Sequence, residues 1–386
     1  MVKKTLLICS LLIAHCYLAF ALDFGLVLNQ NAELAAYGSE ADFVYRGTGI
    51  PRLSGLLGDS GGFYISVGLN YDSDPWNFVP ELLRTDLYMR SGGFDFRMGR
   101  MSYADPLGFI AEGLFDGLRF SHSSAAGTFS AGAWYTGLLY KQRANIAMTE
   151  KELDHYNADL DYNDFFNSYF APRRLLAALD WENQGIGGRV MARVSALGQF
   201  DIFDHDLHSQ YLTGKLLIPV GVFAFDLGGC YQLLEVFERN EYNIYTAFAA
   251  EFGIITRTSN QRLSLSGRYF SADTDYSVDF LPLTTVSQGS IISPSLPGLS
   301  VISLDYTARL HRTFALAFTP NYFFYIAPER NERMLGGEVF GAFYWSPVSD
   351  ISINLGGGAF FHSLGDISPN ANALWKVEMN IVISLF

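Results

Sequence analysis

The last twelve residues of the chain alternate strictly between apolar and polar side chains. One face of an extended strand would carry Trp375, Val377, Met379, Ile381, Ile383 and Leu385, and the other face would carry Lys376, Glu378, Asn380 and Ser384. A strand that is apolar on one face and charged on the other suits a wall between lipid and water. The same alternation recurs along the chain, which predicts an all-β protein that crosses a membrane with its strands.

Residues 1–21 have the features of a secretory signal peptide. Lys3 and Lys4 precede an apolar run that ends at Phe20, and cleavage would follow Ala21. This run is too short and wrongly flanked for a membrane anchor. A lipoprotein signal at Cys16 is the weaker alternative, because the bulky His15 stands where a small residue is expected. We therefore expect the protein to leave the cytoplasm.

The composition excludes several other classes of protein. Aromatic residues make up 15% of the chain and glycines number 37, which favours strands and turns over long helices. Cys230 is the only cysteine beyond the signal, so neither an intrachain disulfide nor a cysteine metal cluster is expected. The formal net charge of −13 argues against nucleic acid as a partner, because phosphates select a basic surface.

Segments of period two predict an antiparallel up-and-down β-barrel of about 16 strands over residues 63–386, with roughly 14–18 possible. The candidate strands are 63–71, 82–91, 94–101, 115–122, 127–140, 173–183, 187–198, 211–219, 222–234, 243–256, 261–270, 300–310, 313–326, 335–346, 351–361 and 375–386. Residues 22–62 fit either two further strands or a plug segment. Pro51 disfavours a central strand position within them.

The predicted connections alternate between short and long. The short ones lie at 91–93, 123–126, 183–186, 219–221, 258–260, 311–312 and 347–350. The long ones lie at 73–81, 102–114, 141–172, 199–210, 235–242, 271–299, 327–334 and 362–374. Outer-membrane barrels have short periplasmic turns and longer outer loops. A soluble β-sandwich or propeller is the alternative, but neither gives a reason for long and short connections to take turns.

Two segments resemble known outer-membrane proteins. The run GRMSYADPLGFIAEGLFDGLRF at 99–120, followed by YTGLLYKQ at 135–142, is similar to the early part of substrate-specific porins and alginate-export-type barrels. In those families the residues that match Arg97 and Arg100 belong to a wall strand, and the pair that matches Asp116-Gly117 begins a later strand. The terminal Phe386 is similar to the aromatic residue that the barrel-assembly machinery recognises. The resemblance implies a porin-type barrel.

The faces opposite the apolar ones would line a lumen, and they carry many charges. The basic members are Arg84, Arg90, Arg97, Arg119, Arg189, Arg193, Arg262, Arg268 and Arg309, and the acidic members are Asp86, Asp95, Asp180, Glu251, Asp305 and Glu338. At the middle of the lipid face such a charge would cost about 2–4 kcal/mol. We interpret the set as a transverse field that orients polar solutes and favours anions. The alternative is a lumen filled and stiffened by ion pairs.

The longest predicted connection carries an acidic cluster. Its members are Glu150, Glu152, Asp154, Asp159, Asp161 and Asp164. Carboxylates in such numbers can hold divalent cations, but the spacing lacks the glycine and terminal glutamate of a calcium loop. A solvated extracellular loop is the preferred interpretation, and no metal site is predicted.

Together these features predict a porin-like channel in the outer membrane that passes small polar or anionic solutes by passive diffusion, without a cofactor and without enzymatic activity. The predicted partners are outer-membrane lipid, the assembly machinery and the solutes, with a homotrimer as one possible assembly. The alternative function is a non-conducting structural or adhesive barrel that acts through loops 141–172 and 271–299. An apolar-ligand transporter is disfavoured by the inward arginines.

Overall fold

The computed structural model describes residues 22–37, 40–73, 76–148, 150–202, 207–238, 241–274, 277–326, 334–362 and 374–385. The predicted signal peptide and Phe386 lie outside these ranges. The strands are β1 (Leu22–Tyr37), β2 (Glu40–Leu57), β3 (Gly61–Ser73), β4 (Trp76–Ser91), β5 (Phe94–Ala104), β6 (Glu112–Ser124), β7 (Gly127–Tyr135), β8 (Arg174–Ile186), β9 (Val190–Asp201), β10 (Leu207–Val220), β11 (Phe223–Glu238), β12 (Glu241–Arg257), β13 (Gln261–Phe270), β14 (Leu299–His311), β15 (Phe314–Tyr325), β16 (Met334–Val348), β17 (Ile351–His362) and β18 (Leu374–Leu385). Two short helices, α1 (Glu150–Asn157) and α2 (Phe165–Ser168), lie between β7 and β8.

The strands form one closed antiparallel sheet. Each strand pairs with its neighbours in sequence, and β1 also pairs with β18, which closes the barrel. The predicted all-β barrel is confirmed, and its 18 strands stand at the upper end of the expected range. The strands additional to the predicted sixteen are β1 and β2, built from the residues that the sequence left open between strands and a plug.

Pro51 lies within β2. It pairs with Leu26 on β1, but the ladder to β3 passes from Gly49 to Arg52 without a pair at Ile50 or Pro51. Proline has no N–H to donate, so the ladder is interrupted beside it. The expectation that Pro51 disfavours a central strand was wrong, because a long strand that is paired on both sides tolerates one local interruption.

The outer face of the barrel is apolar. In β18, Val377 and Met379 are 53% and 39% exposed, whereas the side chains of Lys376 and Glu378 are 19% and 25% exposed and lie inside. Aromatic rings meet in pairs near one rim of this face, at Phe94–Phe120, Phe129–Trp181 and Phe314–Phe343. An apolar band with aromatic rims is typical of transmembrane barrels.

Among the described residues, no helix is long and apolar enough to cross a membrane.

The two ends of the barrel differ. At one end the turns have two or three residues, at 58–60, 92–93, 125–126, 187–189, 221–222, 258–260, 312–313 and 349–350. The opposite end carries the connections 105–111, 136–173 and 271–298. The predicted long links 73–81 and 235–242 are mostly strand, because β3, β4, β11 and β12 extend beyond the length that a bilayer requires.

The three long connections fold into the barrel. Their apolar side chains, including Leu107, Phe109, Ile146, Phe280 and Leu283, are buried against inward residues of the wall in one cluster. This cluster occupies the side of the lumen next to the strands from β5 to β17. The interior is therefore partly filled, and the open space lies along the remaining wall.

Candidate pore and its lining

Residues 105–111 form a tight loop held by one buried carboxylate. One oxygen of Asp105 accepts the N–H groups of Leu107 and Gly108 at 2.7 and 3.2 Å, and the other accepts those of Ile110 and Ala111 at 3.0 and 2.9 Å. A buried charge is tolerated when its oxygens are hydrogen-bonded in this way. Asp105 therefore gives the loop a fixed shape inside the lumen.

This loop reaches the opposite wall. Leu107 packs so closely on β11 that a Cβ at Gly228 would lie 2.4 Å from its Cδ2 atom. The ring of Phe109 lies 5.3 Å from that of Phe270 on β13. The Arg268 guanidinium lies over the Phe109 ring, 5.6 Å from its centre. Because β5 and β11 stand far apart around the barrel, the loop divides the lumen.

The connection 136–173 is anchored by Arg174 at the start of β8. This side chain is 1% exposed, and it donates to the Ala147 carbonyl at 2.6 Å and forms a 2.6 Å ion pair with Glu152 on α1. Two fixed donors in one planar guanidinium hold two parts of the segment at once. Glu152, predicted to belong to an exposed acidic loop, is thus a structural partner of a buried arginine.

Lys141 provides a second anchor in the same segment. Its buried ammonium donates to the carbonyls of His155 and Ala158 at 2.6 and 2.8 Å, at the C-terminal end of α1. A cation is favoured there because the last carbonyls of a helix lack partners. Burial lowers the pKa of Lys141, and the nearby Asp159 carboxylate opposes that shift.

The connection 271–298 joins the other two. The N–H groups of Leu283 and Thr284 donate to the Ile110 carbonyl at 2.8 and 3.0 Å, and Thr284 forms an isolated β-bridge with Ile146. On the wall, the Glu338 carboxylate accepts the N–H groups of Ser290 and Ile291 at 2.7 and 3.1 Å. The three connections therefore form one connected body, which is fixed to the barrel at several points.

The space that remains open is polar. A cavity of about 680 Å³ lies between this body and the wall made by β18, β1, β2 and β3. The wall contributes Asn29, Asn31, Glu33, Arg46, Thr48, Asn70, Asp72 and Asn380, and the folded segment contributes Tyr140, Gln142, Arg143 and Asn145. An aqueous passage needs such a lining, because polar groups facing water keep their hydrogen bonds.

Charges of both signs face this cavity. Arg143 projects from the folded segment, where it donates to Asn70 at 2.9 Å and lies 3.9 Å from Glu81. On the wall, Arg46 pairs with Asp72 at 3.1 Å and lies 3.8 Å from Glu33. Arg143 thus brings a guanidinium to the narrow side of the passage, opposite a wall of amides and ion pairs.

A second cavity of about 600 Å³ lies nearer the short-turn end, along β1 to β5. Its lining includes the predicted residues Arg84, Asp86, Arg90 and Arg97. Asp86 is 4% exposed, and it lies 2.8 Å from Arg84 and 3.6 Å from Arg97. Asp95, also predicted, pairs with Arg90 at 2.7 Å and with Arg97 at 3.0 Å. The structure therefore brings these five residues together as one network.

Other predicted charges continue around the wall. Arg119 lies 3.6 Å from Asp180, Arg193 lies 3.7 Å from Glu182, and Arg268 lies 3.5 Å from Glu251. Glu251 also accepts from Lys215 at 2.5 Å. The Arg193 and Arg268 pairs join neighbouring strands, whereas the Arg119 and Lys215 pairs reach across one intervening strand. In each case the carboxylate offsets part of the positive charge.

The remaining predicted residues have different positions. Arg262 and Arg309 are exposed around a cavity at the short-turn end, and Asp305 accepts from Thr319 at 3.1 Å. Arg189 lies in the turn 187–189, not on an inward strand face. Its assignment to the lumen was wrong, because the alternation ends before the turn begins.

The acidic segment does not form a cation site among its described side chains, and that of Glu150 is not one of them. Asp161 accepts the Asn163 N–H at 2.8 Å, Asp164 accepts from Asn167 at 2.9 Å, and Glu152 is bound to Arg174. No group of three metal-ligating side chains converges anywhere in the described parts of the chain. Asp161 is thus a local cap, and Asp164 and Glu152 have protein side chains as partners.

Sequence reasoning missed Arg143, Arg46 and Lys215. Arg143 lies in an irregular segment, where no alternation marks a side chain as inward. Arg46 belongs to β2, which was not assigned with certainty. Lys215 lies within the strand predicted at 211–219, and the next residue, the apolar Leu216, faces the other side of the sheet. The alternation therefore indicates an inward position for Lys215.

Comparison with solved structures agrees with this architecture. OccK2 (OpdF) of Pseudomonas aeruginosa, solved in complex with glucuronate, matches with a TM-score of 0.65 at 13% identity over 95% of this chain and 98% of that one. OccAB4 of Acinetobacter baumannii matches with a TM-score of 0.63 at 9% identity over 94% of this chain and 97% of that one. OccD3 (OpdP) of Pseudomonas aeruginosa gives 0.59 at 11% identity, over 94% and 91% of the two chains.

No protein-family model matches the sequence, and no curated protein matches it significantly. The likeness to the Occ barrels is therefore one of fold, extending over nearly the whole length of both partners. The chain shares with them the closed antiparallel β-barrel fold that the sequence predicted.

Proposed function

We propose that this protein is a channel through which small polar solutes, with a preference for anions, cross the outer membrane by passive diffusion. The observation that carries the proposal is the position of two cavities with charged side chains in their lining, at different heights along the same wall, from β1 to β4. The internal connections fill the opposite side and leave this strip free. Polar groups along a water-filled strip let a solute exchange its hydration shell in steps.

The preference for anions rests on how the arginines are placed. Four arginines line the strip: Arg84, Arg90, Arg97 and Arg143. Their side chains are between 33% and 61% exposed. A guanidinium has five N–H donors, so one that is paired with a carboxylate on one edge still offers donors to a solute. The carboxylates that pair with arginines here are less exposed, at 4% for Asp86 and 26–30% for Glu33, Asp72 and Asp95, so the guanidinium is the more accessible member of these ion pairs.

One neighbour of similar fold was crystallised with glucuronate, a sugar carboxylate. A solute of that type would suit this strip, because its carboxylate matches a guanidinium and its hydroxyls match the amides of Asn29, Asn31 and Asn70. We propose small hydroxylated carboxylates as the solute class.

The test is conductance of the refolded protein in planar bilayers, with the reversal potential measured across a KCl gradient. We expect discrete conducting events with anions more permeant than cations, and a lower anion/cation permeability ratio in Arg97→Ser/Arg119→Ser. Arg189→Ser is the matched control, since that arginine lies in a turn outside the strip. An unchanged ratio in the double variant would show that these arginines only fill the lumen.

A folded but silent barrel would favour the structural or adhesive alternative. That alternative assigned function to 141–172 and 271–299. The second segment lies largely inside the barrel, which leaves it less surface for a partner, whereas most of residues 153–167 are exposed. We further propose that the protein is not an enzyme and needs no cofactor, that the assembly machinery inserts it, and that a homotrimer is one possible assembly.

A further inference from the structure

The strand ladder between β4 and β5 stops part of the way along the barrel wall, which leaves a seam there. Strands β4 and β5 pair from Ser91–Phe94 up to Thr85–Arg100. Beyond that point, residues 76–84 of β4 have ladder partners on β3 but not on β5, within the described part of the chain. Residues 101–104 of β5 likewise pair with β6 alone, and the chain then turns into the lumen.

Side chains take the place of the missing backbone bonds. The carbonyls of Phe78, Pro80 and Leu82 are alternate groups along β4, and each accepts from a side chain. Tyr162 donates to the Phe78 carbonyl, and Tyr169 donates to the Pro80 carbonyl at 3.0 Å. Arg100 donates to the Leu82 carbonyl. Two of these three donors come from the segment 136–173 and not from a strand. Pro80 also lacks an N–H, so this edge of β4 offers little to another strand.

The seam separates the pore from the outside of the barrel. Val79, Tyr140 and Tyr169 form a small buried cluster with Phe165 and Phe170 packed on it. Val79 and Tyr140 also line the polar cavity of about 680 Å³. On the outer side Phe78 and Leu82 are 51% and 38% exposed on the lipid-facing wall. This apolar cluster, together with the paired backbone of residues 139–141 and 169–171, therefore closes the wall here.

We propose that this seam is a lateral portal, through which a solute with a polar head and an apolar body passes from the pore into the membrane. The ladder also stops between β6 and β7 and between β12 and β13. At the second of these places, backbone N–H groups of residues 271–278 donate to carbonyls of β12. Between β4 and β5, opening breaks the three side-chain hydrogen bonds to the β4 carbonyls and displaces a cluster of side chains. Residues 76–82 of β4 form one side of the portal, and residues 138–141 with 160–170 form the other.

The chemistry on the two sides selects the solute class. The pore side offers Arg143 and Asn70 to a carboxylate, and the seam offers Val79, Tyr140 and the phenylalanines to a hydrocarbon chain. A medium-chain fatty acid has both parts. The inference rests on the proposed function, because the route begins in the pore.

The test compares a locked and a free portal. In a Cys230→Ala background, Val79→Cys/Tyr169→Cys is cross-linked with a short bifunctional thiol reagent, and the control is the same protein treated with a monofunctional reagent. Cells that lack their own porins and produce each form are assayed for uptake of decanoate and of glucuronate, and the purified forms are assayed for ion conductance. We expect the cross-link to reduce decanoate uptake to the level of cells without the protein, and to leave glucuronate uptake and conductance equal to those of the control.

A second variant tests the portal without a cross-link. Tyr162→Phe/Tyr169→Phe removes both hydroxyl donors and keeps the ring packing, so we expect a severalfold rise in decanoate uptake at unchanged conductance. Decanoate uptake that is insensitive to the cross-link, or that falls in step with glucuronate uptake, overturns the portal. So does wild-type decanoate uptake no greater than that of cells without the protein. A protein that is silent in bilayers contradicts the proposed channel, whereas a conducting protein with unaltered decanoate uptake contradicts the portal alone.

Discussion

Arg100 on β5 and Asp116 on β6 stand opposite each other in the strand ladder and form a bidentate ion pair, with 2.6 Å between Nη2 and Oδ2 and 3.0 Å between Nε and Oδ1. Asp116 lies between Leu114 and Leu118, which are 36% and 48% exposed on the lipid side. The carboxylate therefore sits in the apolar wall, and the guanidinium offsets its charge. The Arg and Asp of the porin-like sequence run are thus partners in the wall, not lumen residues.

Removing one member of this pair should be costly. Arg100→Met would leave Asp116 uncompensated in an apolar wall, and we expect a loss of about 3–5 kcal/mol in the free energy of unfolding. Arg100→Met/Asp116→Leu removes both charges and should recover part of that loss, since only the bonds from Arg100 to the Leu82 and Leu138 carbonyls stay broken. Urea unfolding in lipid vesicles measures both. Equal stability of the single and double variants would show that the pair contributes little.

Much of the wall was predictable because alternation is a local property of the sequence. In β18 the inward Lys376 and Glu378 follow directly from the period of two. Strands β1 and β2 were harder, since glycines and Pro51 interrupt their pattern. Gly99 shows another limit: within the ladder it has a φ of +122°, which residues with a side chain rarely adopt, and no alternation signals this.

The pore was less predictable than the wall. The inward arginines could be named from their strands, but the open side of the lumen depends on where 105–111, 136–173 and 271–298 fold. Those positions are set by long-range contacts such as Leu107 against Gly228 and Glu338 with Ser290. Contacts between residues so far apart in sequence leave no periodic signal.

Asp105 should control the width of the pore. Asp105→Ala leaves three backbone N–H groups, those of Leu107, Ile110 and Ala111, without their carboxylate acceptor, and each buried unpaired group costs about 1–3 kcal/mol. We expect the 105–111 loop to leave its position and the single-channel conductance to rise. Asp105→Asn keeps one acceptor oxygen and should fall between Asp105→Ala and the wild type. Identical conductance of all three proteins would show that this loop does not limit the passage.

Arg143 should contribute to ion selectivity from the narrow side of the passage. Arg143→Gln removes the charge next to Asn70 and Glu81, so we expect a lower anion/cation permeability ratio, whereas Arg143→Lys should keep most of it. The difference should shrink as salt rises, because the Debye length falls from about 10 Å at 0.1 M to about 3 Å at 1 M. Reversal potentials at both salt concentrations measure this. A ratio that falls equally in the lysine variant would assign the effect to shape and not to charge.

Glu338 should hold the connection 271–298 in the lumen. Its carboxylate is 1% exposed and accepts from Ser290, Ile291 and Asn321. Glu338→Gln puts an amide that donates where an oxygen accepted, so at least one N–H of the connection loses its partner, at a cost of about 1–3 kcal/mol. We expect faster protease cleavage within 271–298, read by mass spectrometry, with little change in barrel unfolding because the strand ladders are intact. Glu378→Gln is the matched control, since that carboxylate pairs with Lys376 on the wall and contacts no internal connection in the described residues. If both variants are cleaved at the wild-type rate, the anchor lies elsewhere in the connection.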